Sequence, residues 1–138
     1  QRVCRGSPAA GAGRATPPAS DRRHRLARPT PQLDAAAVLA LNRQAQSVTA
    51  SGALLDYLQA LRSASRRHAD IRAGLSPRAG LALLGAARAW AMLKGRGHVL
   101  PEDIQALFVP LAAHRLLPTR GADGAGLARQ LLTEVAVD

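Results

Sequence analysis

The sequence is poor in the residues that build sheets and metal sites. Tyr57, Trp90 and Phe108 are its only aromatics, and 7 Val and 2 Ile stand against 30 Ala and 21 Leu in 138 residues. Strands favour β-branched and aromatic side chains, so this scarcity argues against a β-sandwich, a barrel or a parallel sheet, whereas Ala and Leu are strong helix formers. The single cysteine, Cys4, excludes an intramolecular disulfide and any zinc site built on cysteines. His24, His68, His98 and His114 have no pairwise metal spacing, so no metal site is expected. No apolar run approaches the roughly 18 residues of a membrane helix, and no secretory signal opens the chain. A cytoplasmic protein without a membrane span is the expectation. Lysine is almost missing too: Lys94 stands alone against 18 Arg. A P-loop needs a lysine after its glycines, and Gly74-Leu75-Ser76-Pro77-Arg78 breaks the Gly-x-Ser-x-Gly nucleophile elbow at its last position.

What is present is a helical core in waiting. The chain is 47% hydrophobic, enough for one domain. Its 19 basic and 9 acidic residues give a net charge of +10. The arginine, alanine and glycine bias suggests GC-rich coding DNA, which weakens any inference from charge to function. Residues 1–31 read as an irregular basic arm, punctuated by Gly6, Pro8, Gly11, Gly13, Pro17, Pro18, Pro29 and Pro31 and holding the cluster Arg22-Arg23-His24-Arg25. The chain begins with Gln1 and its one methionine is Met92. We therefore expect residues 1–31 to be a truncated or mistranslated remnant of a longer protein, and residues 32–138 to be the helical domain.

Asp34 reads as the cap of a helix over 35–46, with Val38, Leu41 and Ala45 on its inner face. Ser51 caps a second helix to about Arg67, faced by Leu54, Leu55, Leu58 and Leu61. His68–Leu75 reads as loop. Ser76 and Pro77 open the strongest helix, which runs to Lys94 and stops at Gly95, with Trp90 expected as its core anchor. Pro101 opens a fourth helix with Glu102 and Asp103 in its first turn, and Pro110 is expected to interrupt or kink it. Residues 118–126 read as loop, and 127–137 as a fifth helix or a final strand. The fold class is all-α, a small bundle of four to five helices.

One polar residue stands in a conspicuous place. Arg78 lies in the first turn of the strongest helix, whose N-terminal end is already positive. A cation there is sensible if an anion is to be held; the competing reading is a solvent-facing arginine in an arginine-rich chain. Arg88 reads as surface or interface, Arg96 as a cap for nearby carbonyls, and His114 as a residue at the fourth helix end.

The blocks Gly74-Leu75-Ser76-Pro77-Arg78-Ala79, Ala91-Met92-Leu93-Lys94-Gly95-Arg96, Val99-Leu100-Pro101-Glu102-Asp103-Ile104 and His114-Arg115-Leu116, in that order, resemble the C-terminal lid of MoxR-type AAA+ ATPases. Magnesium-chelatase ATPase subunits have a related lid. Leu54-Leu55-Asp56-Tyr57-Leu58 resembles the family's preceding helix, and Ser65-Arg66 stands where the family often has Thr-Arg.

The resemblance implies that Arg78 is the sensor-two arginine, reaching the γ-phosphate of ATP on a P-loop core, with Ser76 and Pro77 beside it at the nucleotide. ATP and magnesium are then cofactors of the full-length protein and not of this chain alone, which lacks Walker A and B and is expected to be inactive. The partners implied are the missing nucleotide-binding core, neighbouring subunits of a ring, and client proteins, among them ones with von Willebrand A domains, remodelled by a chaperone-like ATPase. Two other readings stay open: a basic helical module that binds nucleic acid, motivated by the +10 charge but lacking aromatics for base stacking, and a stand-alone protein-interaction adaptor.

Overall fold

The computed structural model describes Thr30, residues 32–119, Gly121 and residues 123–137. Apart from Thr30, the basic arm over 1–31 and its Arg22–Arg25 cluster lie outside the described residues.

The helices start where short polar side chains can take up free amide groups. In α1 (Ala35–Ser47) the Asp34 carboxylate accepts the Ala37 N–H at 2.7 Å. In α2 (Gly52–Arg67) Ser51 accepts the Leu54 N–H at 3.2 Å. In α3 (Pro77–Leu93) Ser76 accepts the Ala79 N–H at 3.2 Å, and Pro77 fills the first position, where no amide donor is needed. The end of α3 is equally well defined. Gly95 turns left-handed at φ 72°, its N–H reaches the Met92 carbonyl at 2.8 Å, and the Arg96 N–H reaches the Ala91 carbonyl at 2.9 Å. This paired arrangement satisfies carbonyls the helix would otherwise leave open. Next come α4 (Pro101–Ala112) and α5 (Gly124–Glu134), the latter capped by Asp123. α4 continues two residues past Pro110, which is exposed. The segment left between helix and strand is helical, with Leu127, Ala128 and Leu131 buried on one face.

Two short strands were not legible in the sequence. β1 (Ile71–Ala73), inside the expected loop, pairs antiparallel with β2 (Leu117–Pro118), matching Ile71 to Pro118 and Ala73 to Leu117 around a bulge. Thr119 extends the pairing, its N–H reaching the Asp70 carbonyl at 2.8 Å. Strands this short carry no alternation of their own and form because the helices bring them together. A second link joins the α1–α2 turn to the α3–α4 turn: the Thr49 N–H meets the Gly97 carbonyl at 3.0 Å and the Val99 N–H meets the Thr49 carbonyl at 2.9 Å.

The core is Leu61, Ile104, Phe108, Leu116 and Leu131, all essentially inaccessible, with Ala87, Ala91 and Ala128 at the helix contacts. Small residues let α3, α4 and α5 approach closely. The anchoring aromatic is Phe108 and not Trp90, which is 39% exposed with the Lys94 ammonium 5.2 Å from its ring centroid. Trp90 sits one residue before the inward-facing Ala91, and α3 turns its small stripe to the core while Trp90 covers the rim. Trp90→Ala should therefore cost about 1–2 kcal/mol, against roughly 3–5 for a fully buried aromatic. Urea unfolding followed by circular dichroism measures it.

α1 also departs from expectation. Of Val38, Leu41 and Ala45 only Ala45 is buried; Val38, Leu39 and Leu41 are exposed. The helix touches the rest through its last turns, where Ala45 and Val48 meet the core.

Candidate functional site

Arg78 is exposed in the first turn of α3, and the chain leading to it is held by α2. Two contacts do this. Ser65, fully buried in the last turn of α2, donates its hydroxyl to the Arg62 carbonyl at 2.7 Å and accepts the Leu75 N–H at 2.9 Å. Gly74 lies flat on the same turn, where a Cβ would come within 2.5 Å of the Ser65 carbonyl oxygen. Any side chain at 74 pushes the segment off α2. Leu75, itself buried, completes the lock. Ser76, Pro77 and Arg78 thus leave α2 along a defined path.

Ser65→Ala leaves the buried Leu75 N–H without an acceptor and should destabilise the domain by about 1–3 kcal/mol. Ser65→Thr keeps the acceptor. Chemical denaturation of the two variants tests whether the hydroxyl is what matters: equal losses for both would mean that it is not.

The site is an open cleft of about 550 Å³ lined by Gly74, Ser76, Arg78, Ala79, Ala82, Arg115 and Leu117. Its lining residues include two arginines and no carboxylate. Ser76 spends its lone pair on the Ala79 N–H, and its hydroxyl hydrogen stays free to donate. Pro77 has no N–H, so the first free amide of α3 is that of Arg78. These residues suit a phosphate. With no acidic side chain among them they do not suit magnesium. Among the described residues no three His, Cys, Asp or Glu side chains stand together as metal ligands.

Arg96 does more than cap. Its guanidinium grips Asp103 through both nitrogens, at 2.6 and 2.8 Å, and also donates to the His98 carbonyl at 3.3 Å. Asp103, 1% exposed, accepts the Leu100 N–H at 2.9 Å as well, and Lys94 Nζ lies 3.9 Å away. The bond to Arg96, with the Leu100 amide adding to it, holds the Asp103 carboxyl below the ordinary carboxylate range despite burial. The pair ties the end of α3 to the start of α4, away from the Arg78 cleft. An aspartate at the third position of a helix opened by Pro101 was a readable sign of a capping role, since that position reaches back to the free amide before the helix. Ser65 left a fainter sign, as the one hydroxyl continuing the Leu58–Leu61 stripe. Arg88 is half-buried on α3 outside the cleft, and its Nε is buried without a hydrogen-bond partner. His114 is exposed beyond α4 and accepts from Arg115 Nε at 3.4 Å.

A second surface feature is apolar. A groove of about 340 Å³ between α2 and α3 is lined by Leu55, Leu58, Pro77, Gly80, Leu81 and Leu84 among others. Leu81 is 70% exposed on its rim. Among the described residues no helix is long and apolar enough to cross a membrane.

Comparison with known proteins agrees with this anatomy. The AAA lid domain family matches residues 63–135. The uncharacterized protein YeaC of Bacillus subtilis is 31% identical over 102 residues, covering 70% of this chain and 32% of YeaC. Protein MoxR of Paracoccus denitrificans is 52% identical over 46 residues, 33% of this chain and 14% of that protein. Chaperone MoxR1 of Mycobacterium tuberculosis is 32% identical over 95 residues, 62% of this chain and 24% of that protein. Among solved structures, that of a "putative ATPase" from Cytophaga hutchinsonii superposes with a TM-score of 0.71 at 27% identity, over 75% of this chain and 36% of that one. The chain thus spans about a third or less of the length of these relatives. The chain belongs to the AAA lid domain family, and what it carries is the lid region of a MoxR-type AAA+ ATPase.

Proposed function

We propose that this chain is the nucleotide-sensing lid of its ATPase, with Arg78 as the sensor-two arginine. The observation that carries the reading is the cleft itself: an exposed guanidinium at the start of α3, no carboxylate nearby, on a segment that Ser65 and Gly74 hold against α2. A P-loop core would bind ATP and its magnesium, and Arg78 would meet the terminal phosphate, with the Ser76 hydroxyl and the α3 N-terminus beside it. During phosphoryl transfer negative charge spreads over the terminal oxygens, and a positioned arginine stabilises it. Loss of that phosphate releases Arg78, so the position of the lid follows the state of the nucleotide.

The apolar surfaces support a lid that is covered in use. The α2–α3 groove with Leu55 and Leu81, and the exposed Val38, Leu39 and Leu41 of α1, leave apolar surface open to water on the lid alone. They suit docking on the nucleotide-binding core and on neighbouring subunits of a ring. Work on partner proteins by a chaperone-like ATPase in the cytoplasm, including clients with von Willebrand A domains, completes the reading. Steady-state ATP turnover of the full-length protein, wild type against Arg78→Ala, tests it. Equal turnover removes the sensor role.

A further inference from the structure

The short sheet brings a second arginine to the cleft. Ala73 of β1 pairs with Leu117 of β2. Arg78 follows Ala73 closely in the chain and Arg115 just precedes Leu117, so the pairing sets two arginines from separate elements on one cleft. The position of Arg115 is fixed from both sides. Leu116 is buried at 2% exposure, and the N–H groups of Arg115 and Leu116 both return to the Ala112 carbonyl, at 2.9 and 3.0 Å. Its Nε is used on His114, while its terminal nitrogens have no protein partner among the described residues. Nor does Arg78.

Two arginines line one cleft that has no carboxylate among its lining residues, and an anion with several charges suits such a lining. A guanidinium fork fits phosphate oxygens two at a time, and two forks on one cleft match an anion with more than one phosphate group. We infer that Arg115 is a second phosphate-binding arginine, gripping the same polyphosphate tail as Arg78, so that the lid reads the nucleotide as a two-point clamp and not through one contact. The inference rests on reading Arg78 as a phosphate sensor. It adds that β1 and β2 exist to hold the second jaw in register with the first.

The test uses this 138-residue chain at millimolar ligand, where the weak binding expected of a lid without its core is read, with arginine side-chain Nε signals followed by NMR as tripolyphosphate, ATP without magnesium, or AMP is added. The expected result is that Arg78 and Arg115 shift together with one midpoint for tripolyphosphate and ATP. AMP should act more weakly. Arg115→Ala should raise the Arg78 midpoint by about fivefold or more, since a charge-assisted bidentate contact is lost, whereas Arg129→Ala on α5 leaves it unchanged. An Arg78 midpoint unmoved by Arg115→Ala overturns the clamp and leaves the single-arginine sensor standing. A response of Arg115 with Arg78 silent overturns both. All arginines shifting in parallel, or none shifting, also overturns the clamp, and the turnover of Arg78→Ala then decides the sensor on its own. Arg115 is exposed, so its loss should not unfold the chain, and an unchanged circular dichroism spectrum checks that.

Discussion

Arg78→Ala in the full-length ATPase is expected to lower ATP turnover by about 100-fold or more, in line with the loss of one preorganised donor at a phosphoryl-transfer site. The magnitude follows from where the charge develops. On this reading the guanidinium already meets the terminal phosphate of bound ATP, and its hold strengthens as charge builds on the separating oxygens. The decrease should fall mainly on kcat and less on KM. Arg78→Lys should recover only part of it, because an ammonium brings charge without the fork that matches two oxygens. The side chain is exposed and makes no contact that holds α3, so the lid should melt as the wild type does. A fall in turnover accompanied by a fall in melting temperature would point to damage instead of sensing.

The second large effect concerns stability. Asp103→Ala should destabilise the domain by about 2–3 kcal/mol. The change strips the acceptor from the half-buried Leu100 N–H and parts Arg96 from its partner at the α3–α4 turn. The value is set below that for a wholly buried pair because Arg96 keeps contact with water, with 24% of its side chain exposed. The acid dependence has a definite sign. The folded state lowers the Asp103 pKa, chiefly through the Arg96 hydrogen bond. The pair's contribution is therefore complete above the unfolded value of about 3.9 and is lost as pH falls through the depressed folded value. The wild type should be more stable than Asp103→Ala near neutrality, and the gap should narrow steadily below about pH 4. Denaturant titrations of both proteins across that range measure it. A gap independent of pH would mean that the charge of Asp103 is not what stabilises the turn.

Most of the helical plan could be read from local chemistry. Asp34, Ser51 and Ser76 each stand one residue before a helix and accept from the amide three positions on, as their side chains dictate. Gly95 ends α3 because it alone takes a left-handed turn there without strain. What escaped was set by neighbours distant in sequence. Nothing local distinguishes Trp90 from Phe108; Phe108 is the buried one because α4 is covered on that side, whereas the Trp90 side of α3 is not. The strands at 71–73 and 117–118 are too short to show a period and arise from pairing across more than forty residues. At the site, Arg78 stood out by its place at a positive helix end, where a solvent-facing arginine was the competing reading, and its proposed role came with the family resemblance. Arg115 was not, since only the β1–β2 pairing brings it to the same cleft. Gly74 and Ser65 illustrate the same divide: each is unremarked alone, and their contact exists only once α2 and the strand after it are folded together.

That contact has a mechanical meaning. With Gly74 flush against the α2 backbone and Leu75 hydrogen-bonded to Ser65, there is no slack between the helix that bears Arg78 and the helix before it. A pull on the guanidinium cannot be absorbed by bending the connector, because every route to bending it breaks a buried bond or opens a packed surface. The force passes to α2 as if through a welded joint. α2 and the start of α3 are therefore coupled as one piece at this joint.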